Sequence, residues 1–258
     1  MASLPGDPHP EHSCGPAAHR AAVTPPAISP AEAIGELAAW VAGQPGHRTA
    51  QIEPATTPRH HAGRDPRWVI LIDGRSGSGK TRFAEHLMAA LGATSGQAGA
   101  SRSTLPAPNT TPQLVHLEDF YPGWGGLFAA ARMLAAEVLQ PNCPGFRRWN
   151  WEKNTPGPWQ PVDPGRPLVV EGVGALSPEV LAVLRRRGIP HRTLVLDAPT
   201  PLRKHRALHR DPYYAPWWNM WAAQERAHIA RRPAPELVDA NGPARSKGET
   251  TGPARSGD

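Results

Sequence analysis

Gly74, Gly77 and Gly79 stand immediately before Lys80 and Thr81 in the stretch Asp73-Gly-Arg-Ser-Gly-Ser-Gly-Lys-Thr81. Glycines so spaced let successive backbone N–H groups converge on one anion, because they reach φ/ψ values closed to other residues. A helix starting directly behind them adds its free N–H groups and the positive end of its dipole. Lys80 supplies a point charge for β- and γ-phosphates, and the Thr81 hydroxyl can complete the shell of a Mg²⁺ ion. Gly74, Arg75, Ser76, Gly77, Ser78, Gly79, Lys80 and Thr81 together fit the pattern Gly-x₄-Gly-Lys-Thr that cradles a nucleoside triphosphate, the P-loop. Neither the Asn-Lys-x-Asp signature of guanine recognition nor the Leu-Ser-Gly-Gly-Gln stretch of ABC ATPases occurs, so ATP with Mg²⁺ is expected.

Three further groups of residues have chemical character. Glu118 and Asp119 follow the apolar run Gln113–Leu117, and Glu171 ends the run Leu168–Val170. In open α/β sheets ligands bind beyond the carboxyl ends of the strands, so these carboxylates are expected at the crevice that holds the phosphate loop. Arg203, Arg206 and Arg210 are three and four residues apart and share one side of a helix. Only Leu202 and Leu208 are large and apolar there, which predicts a thinly anchored helix suited to moving. Finally, Phe146-Arg-Arg-Trp-Asn-Trp151 concentrates aromatic and cationic groups. In an extended segment Trp149 and Trp151 would face the same way; flat rings stack on nucleobases, and Arg148 suits a phosphate or carboxylate.

The elements that must position these residues are legible from period and punctuation. Val69–Ile72 reads as a strand buried on both faces, and strands follow at 113–117, 166–171 and 192–197. Helical patterns occupy 82–91, 127–139, 177–187 and 201–211, with a polar helix running to about Arg232. Ser177 before Pro178 supplies an N-cap and a first-turn proline. Alternation of this kind implies parallel βαβ units with right-handed crossovers. The expected class is α/β: a three-layer P-loop NTPase fold with a mainly parallel sheet and a helical lid.

The chain has 258 residues, and its 32 prolines and 25 glycines lie mostly outside the periodic segments. This favours one α/β domain at 67–232 with a flexible insertion at 92–112. The expected flanks are a largely disordered extension, 1–66, carrying one amphipathic helix near 30–42, and a disordered tail, 233–258. Residues 140–164 are expected to hold little regular structure. Removing 1–28 and 234–258 is expected to leave the fold intact, since neither offers a core-forming pattern.

The formal net charge is +6 and, apart from lysines at 80, 153, 204 and 247, the cations are arginines. That balance suits polyphosphate ligands. With no block of like charges and no reading motif, nucleic acid is not expected as a partner. Cys14 and Cys143 are too isolated for a disulfide framework or a metal site. No signal peptide or membrane-length apolar run occurs, so a cytoplasmic location is expected.

Taken in order, Gly-Arg-Ser-Gly-Ser-Gly-Lys-Thr81, Leu-Glu-Asp-Phe-Tyr121, Arg-Arg-Trp-Asn-Trp151, Val-Val-Glu-Gly172 and an Arg-x-x-Arg-x-x-x-Arg-Asp211 helix resemble the uridine kinase-like P-loop kinases, in particular their actinobacterial branch. The resemblance spans about residues 67–231. It implies a phosphotransferase that moves the γ-phosphate of ATP to a hydroxyl of a nucleoside or similar small molecule. By position Glu118 would be the general base, with Asp119 beside it as the alternative. Glu171 would help to hold Mg²⁺ through water. Arg203, Arg206 and Arg210 would belong to a lid over the phosphates, and Tyr121, Arg148, Trp149 and Trp151 would face the acceptor. Asn150 stands where the family has aspartate, so uridine itself is not assigned. Two alternatives stay open: a kinase for a nucleoside monophosphate, sugar or vitamin, and an ATP-binding regulatory protein with little turnover. The oligomeric state is also open.

Overall fold

Val69 and Leu71 pack on one side of the sheet and Ile70 and Ile72 on the other, and all four are fully buried. This alternation at period 2 makes the strand before the phosphate loop the middle of a three-layer structure.

The computed structural model describes residues 27–44, 67–97 and 111–240. In chain order they form β1 (Ala27–Ile28), α1 (Pro30–Ala42), β2 (Val69–Asp73), α2 (Lys80–Gln97) and β3 (Gln113–His116). A 3₁₀ turn at Leu117–Asp119 precedes α3 (Leu127–Met133), which continues as a π-helical stretch to Val138. Then come β4 (Gly145–Asn150), β5 (Thr155–Pro161), β6 (Leu168–Glu171), α4 (Pro178–Arg186) and β7 (His191–Asp197). The chain closes with α5 (Thr200–Arg210), a 3₁₀ stretch at Pro212–Trp217, α6 (Trp218–Arg231) and β8 (Leu237–Ala240).

The main sheet has the order β1-β8-β7-β2-β6-β3, and every pairing in it is parallel. This is the α/β class expected: β2 lies between β6 and β7, so its carboxyl end, where the glycines begin, sits at the point where the strand order reverses. On one face α1 and α2 pack Leu37, Val41, Phe83, Leu87 and Leu91 against Ile70, Ile72 and Leu194. On the other, α3, α4 and α6 cover Val69, Leu71, Val115 and Val170 with Leu127, Leu134, Val180, Leu184 and Trp221. A capping box starts α1: Ser29 Oγ accepts from the Glu32 N–H, and the Glu32 carboxylate accepts from the Ser29 N–H.

Three expectations change. Residues 145–161, read as irregular, form an antiparallel hairpin of β4 and β5 with a bulge between Arg147 and Trp149. Pro156, Pro158 and Pro161 disguised it, and prolines are tolerated there because this two-stranded ribbon consists of edges. The domain also does not stop at 232. β8 pairs with Leu194–Asp197, and β1 pairs with β8 in turn, so the segments thought removable include two strands. Each is four residues or fewer and held by backbone bonds, which leaves no hydrophobic period to read. Finally, α2 runs to Gln97, past the expected start of the insertion. Residues 1–26, 45–66, 98–110 and 241–258, parts of the expected extension, insertion and tail, lie outside the described residues.

One polar cluster ties the layers together beneath the phosphate loop. Asp73, fully buried, accepts from Gly74 N at 2.5 Å, Leu176 N at 3.0 Å and His228 Nε2 at 2.7 Å. Burial pushes the Asp73 carboxyl up, but the His228 hydrogen bond and charge, with Arg232 and the Gly74 N–H, hold it below its ordinary value. A carboxyl depressed on folding contributes stability that is complete above its unfolded pKa, about 3.9, and is lost as pH falls through the folded value. Asp73→Asn is therefore expected to lose about 2–3 kcal/mol at neutral pH. The loss should shrink when unfolding is followed below pH 4. A gap that stays constant down to pH 3 would remove the ionised carboxylate from this account.

Candidate active site

The phosphate loop owes its shape to two tight approaches. Gly74 has φ +144° and a Cβ there would lie 2.1 Å from the Leu196 carbonyl oxygen; Gly77 has φ +77° and its Cβ would lie 2.1 Å from that of Arg203. Only glycine fits either place. Lys80 opens α2 and folds back over the loop, donating from Nζ to the Arg75 carbonyl at 3.2 Å, and it keeps 8% of its surface at the cleft. Thr81, the next residue, donates from Oγ1 to Glu171 Oε1 at 3.1 Å.

Glu171 comes from the end of β6 and is 3% exposed. Burial pushes its carboxyl up, yet the His116 hydrogen bond at 2.7 Å, the Lys80 charge and the Thr81 hydroxyl together hold it below the usual value. The same contact with Glu171 raises the His116 imidazole above its ordinary range. An ionised carboxylate beside a threonine hydroxyl at the start of a helix is a hard, oxygen-rich donor set of the kind Mg²⁺ takes.

Ser76, Gly77, Gly79, Lys80 and Thr81 line one end of a cleft of about 1060 Å³, with Glu171 and Gly172. That is at the upper end of ordinary ligand pockets, and it is room for a triphosphate and a second small molecule together. Glu118 lines the cleft with 62% of its side chain exposed and lies 3.7 Å from Arg210 Nη2. Arg206 and Arg210 reach the cleft from α5. Tyr121 lines it too, its hydroxyl donating to the Val173 carbonyl at 2.8 Å.

Several expected members are elsewhere. Asp119 turns out of the cleft and pairs with Arg148 at 3.1 Å, so the hairpin, not the acceptor, holds both. Trp149 sits within β4 opposite Pro156, whereas Trp151 lies in the turn beyond the strand and reaches the cleft. The expected common face required both residues in one strand. Arg203 corrects the lid reading most sharply. It is fully buried and donates to the carbonyls of Ala198 and Ser76, at 2.9 and 3.1 Å. The first turns of α5 press on the phosphate loop and the last reaches the cleft rim, so one helix face meets core and then solvent. α5 is thus anchored at its start, not loosely held.

Sequence reasoning missed the residue at the centre of the other end of the cleft. Trp124 stands 5.0 Å from Trp151, is stacked with Tyr214 at 5.2 Å and Trp217 at 5.7 Å, and meets Trp221 edge-on at 6.4 Å, ring centre to ring centre. The signal was present as Tyr121-Pro-Gly-Trp124, an aromatic carried round a glycine turn directly after the strand-end carboxylates. Nothing local told that this ring would meet the tryptophans of 217–221.

No family model matches the chain, and no curated protein matches it. Among solved structures it is similar to a possible uridine kinase from Bacillus stearothermophilus, at 16% identity and TM-score 0.41, over 81% of this chain and 98% of that one. A gluconokinase from Sinorhizobium meliloti aligns at 16% identity and TM-score 0.35, covering 70% and 85%. A sugar kinase from a Janibacter species aligns at 16% and 0.35, covering 69% and 86%. At these scores the likeness carries no statement about what this chain acts on, and the fold rests on its own strand order.

Proposed function

We propose that this chain is a P-loop phosphotransferase that moves the γ-phosphate of ATP to a hydroxyl of a nucleoside or a similar small molecule with a flat, ring-bearing body. The observation that carries the reading is one cleft lined by the phosphate loop, by an aromatic cluster and by Glu118. The exposed parts of the Trp151 and Trp217 rings suit stacking, worth about 1–3 kcal/mol per base, and Trp124 backs them.

Each residue then has a task. Lys80 and the N–H groups of the loop bind the β- and γ-phosphates, and Arg206 and Arg210 neutralise charge that builds on the transferred group. Thr81 and Glu171 would hold Mg²⁺, which supplies charge neutralisation of the phosphates when bound. Glu118 takes the proton of the acceptor hydroxyl. That oxygen bonds to the γ-phosphorus as the bond to the β–γ bridging oxygen breaks, and ADP leaves.

The test is transfer from γ-labelled ATP with Mg²⁺ to a panel of nucleosides, nucleoside monophosphates, sugars and vitamins. A labelled nucleoside monophosphate is the expected product. Label on sugars alone would move the acceptor class, and no label on any acceptor with ATP still bound would favour a regulatory protein instead.

A further inference from the structure

Ser76 stands in the middle of the phosphate loop, and both polar groups of its main chain are taken by side chains from outside the loop. Its N–H donates to Glu225 Oε1 at 2.6 Å, and its carbonyl accepts from Arg203 Nη1 at 3.1 Å. Arg75 Nε donates to Glu225 Oε2 at 3.1 Å, and Arg203 Nη1 lies 3.8 Å from the same oxygen. Glu225 is 1% exposed and Arg203 0%. Two guanidinium groups therefore compensate one buried carboxylate, the condition under which such a charge is tolerated.

Holding the N–H and the carbonyl of one residue fixes the planes of the peptide bonds on both sides of it. Gly77 follows, packed against the Arg203 main chain at φ +77°, which leaves the loop no room to turn. Glu225 is not a stand-in for phosphate, because it is buried behind the loop and does not line the cleft. Trp218, Trp221, Glu225 and His228 recur at helical spacing on α6 and are all buried. One helix face therefore forms part of the aromatic wall, supports the loop at Ser76 and meets Asp73 beneath it.

We infer that Glu225 and Arg203 are positioning residues of the phosphate loop: from α6 and α5 they set the backbone of Ser76 so that the N–H groups after it converge on a polyphosphate. This rests on the reading of Gly74–Thr81 as a triphosphate site. A buried N–H that loses its partner costs roughly 1–3 kcal/mol, about 5- to 150-fold in an equilibrium constant.

The test is calorimetric binding of ATP, tripolyphosphate and adenosine to the full chain and to Glu225→Ala, Glu225→Gln, Arg203→Lys and Lys80→Ala, each with its melting midpoint. Glu225→Ala is expected to weaken ATP and tripolyphosphate equally, by roughly 10- to 100-fold, and to leave adenosine unchanged. Glu225→Gln keeps an oxygen for the Ser76 N–H and is expected to stay within about fivefold of the parent chain. A purely structural role would lower the melting midpoint while the folded protein kept its phosphate affinity. Should Glu225→Ala not fold, Arg203→Lys keeps the charge but loses the fork and is expected to weaken tripolyphosphate about tenfold. Unchanged tripolyphosphate affinity in the folded variants would overturn the inference. A parent chain that binds tripolyphosphate no better than Lys80→Ala would instead overturn the P-loop reading itself.

Discussion

Lys80→Ala is expected to take ATP binding out of the measurable range and to abolish transfer, a loss of roughly 10³-fold or more. The ammonium group lines the cleft and is held over the loop by the Arg75 carbonyl. Its field also helps to keep the Glu171 carboxyl ionised, so its removal weakens the candidate Mg²⁺ position as well as the phosphate contacts. Lys80 is 8% exposed and its charge acts on the buried Glu171, so the melting midpoint without nucleotide is measured beside the titration to show that the variant is folded. Calorimetric titration with ATP and Mg²⁺ measures the effect. Tight binding retained by a folded Lys80→Ala variant would sink the assignment of the loop.

Glu118→Gln should separate chemistry from binding. Turnover is expected to fall by roughly 10²- to 10⁴-fold, the range that general base action supplies, while ATP affinity stays within about twofold. The amide cannot take the proton, yet it keeps the size of the side chain. Exposure at the cleft and a single loose contact with Arg210 mean that folding should not register the change. Asp119→Asn is the control, since that carboxylate faces Arg148 and not the cleft. It is expected to keep its rate. A silent Glu118→Gln with a collapsed Asp119→Asn would transfer the role to Asp119. If both variants keep the parent turnover, neither carboxylate is the base.

Which of the two carboxylates meets the cleft was not legible in the chain. They are adjacent, and the 3₁₀ turn that carries them decides which one points outward. The arginines show the same limit. Their spacing placed Arg203, Arg206 and Arg210 on one side of a helix, but burial depends on what that helix lies against, and its first turns lie against Gly77. The hairpin, β1 and β8 escaped notice because backbone pairing needs no pattern when a strand is short or rich in proline.

Legible along the chain were the sheet centre, the glycine turn Gly74–Gly79, the Lys80–Thr81 pair and the strand-end position of Glu171. All are local in physics: apolar period, glycine φ/ψ freedom and a helix start follow from neighbours along the chain. Tertiary structure alone decided the aromatic wall around Trp124, the support of Ser76 by Glu225 and Arg203, and the Asp73–His228 pair. These contacts join residues 27 to 155 positions apart (Trp124–Trp151 at the near end, Asp73–His228 at the far), with the Ser76 contacts between them. No local periodicity records such a meeting, because it exists only once α5 and α6 have packed against the carboxyl end of the sheet.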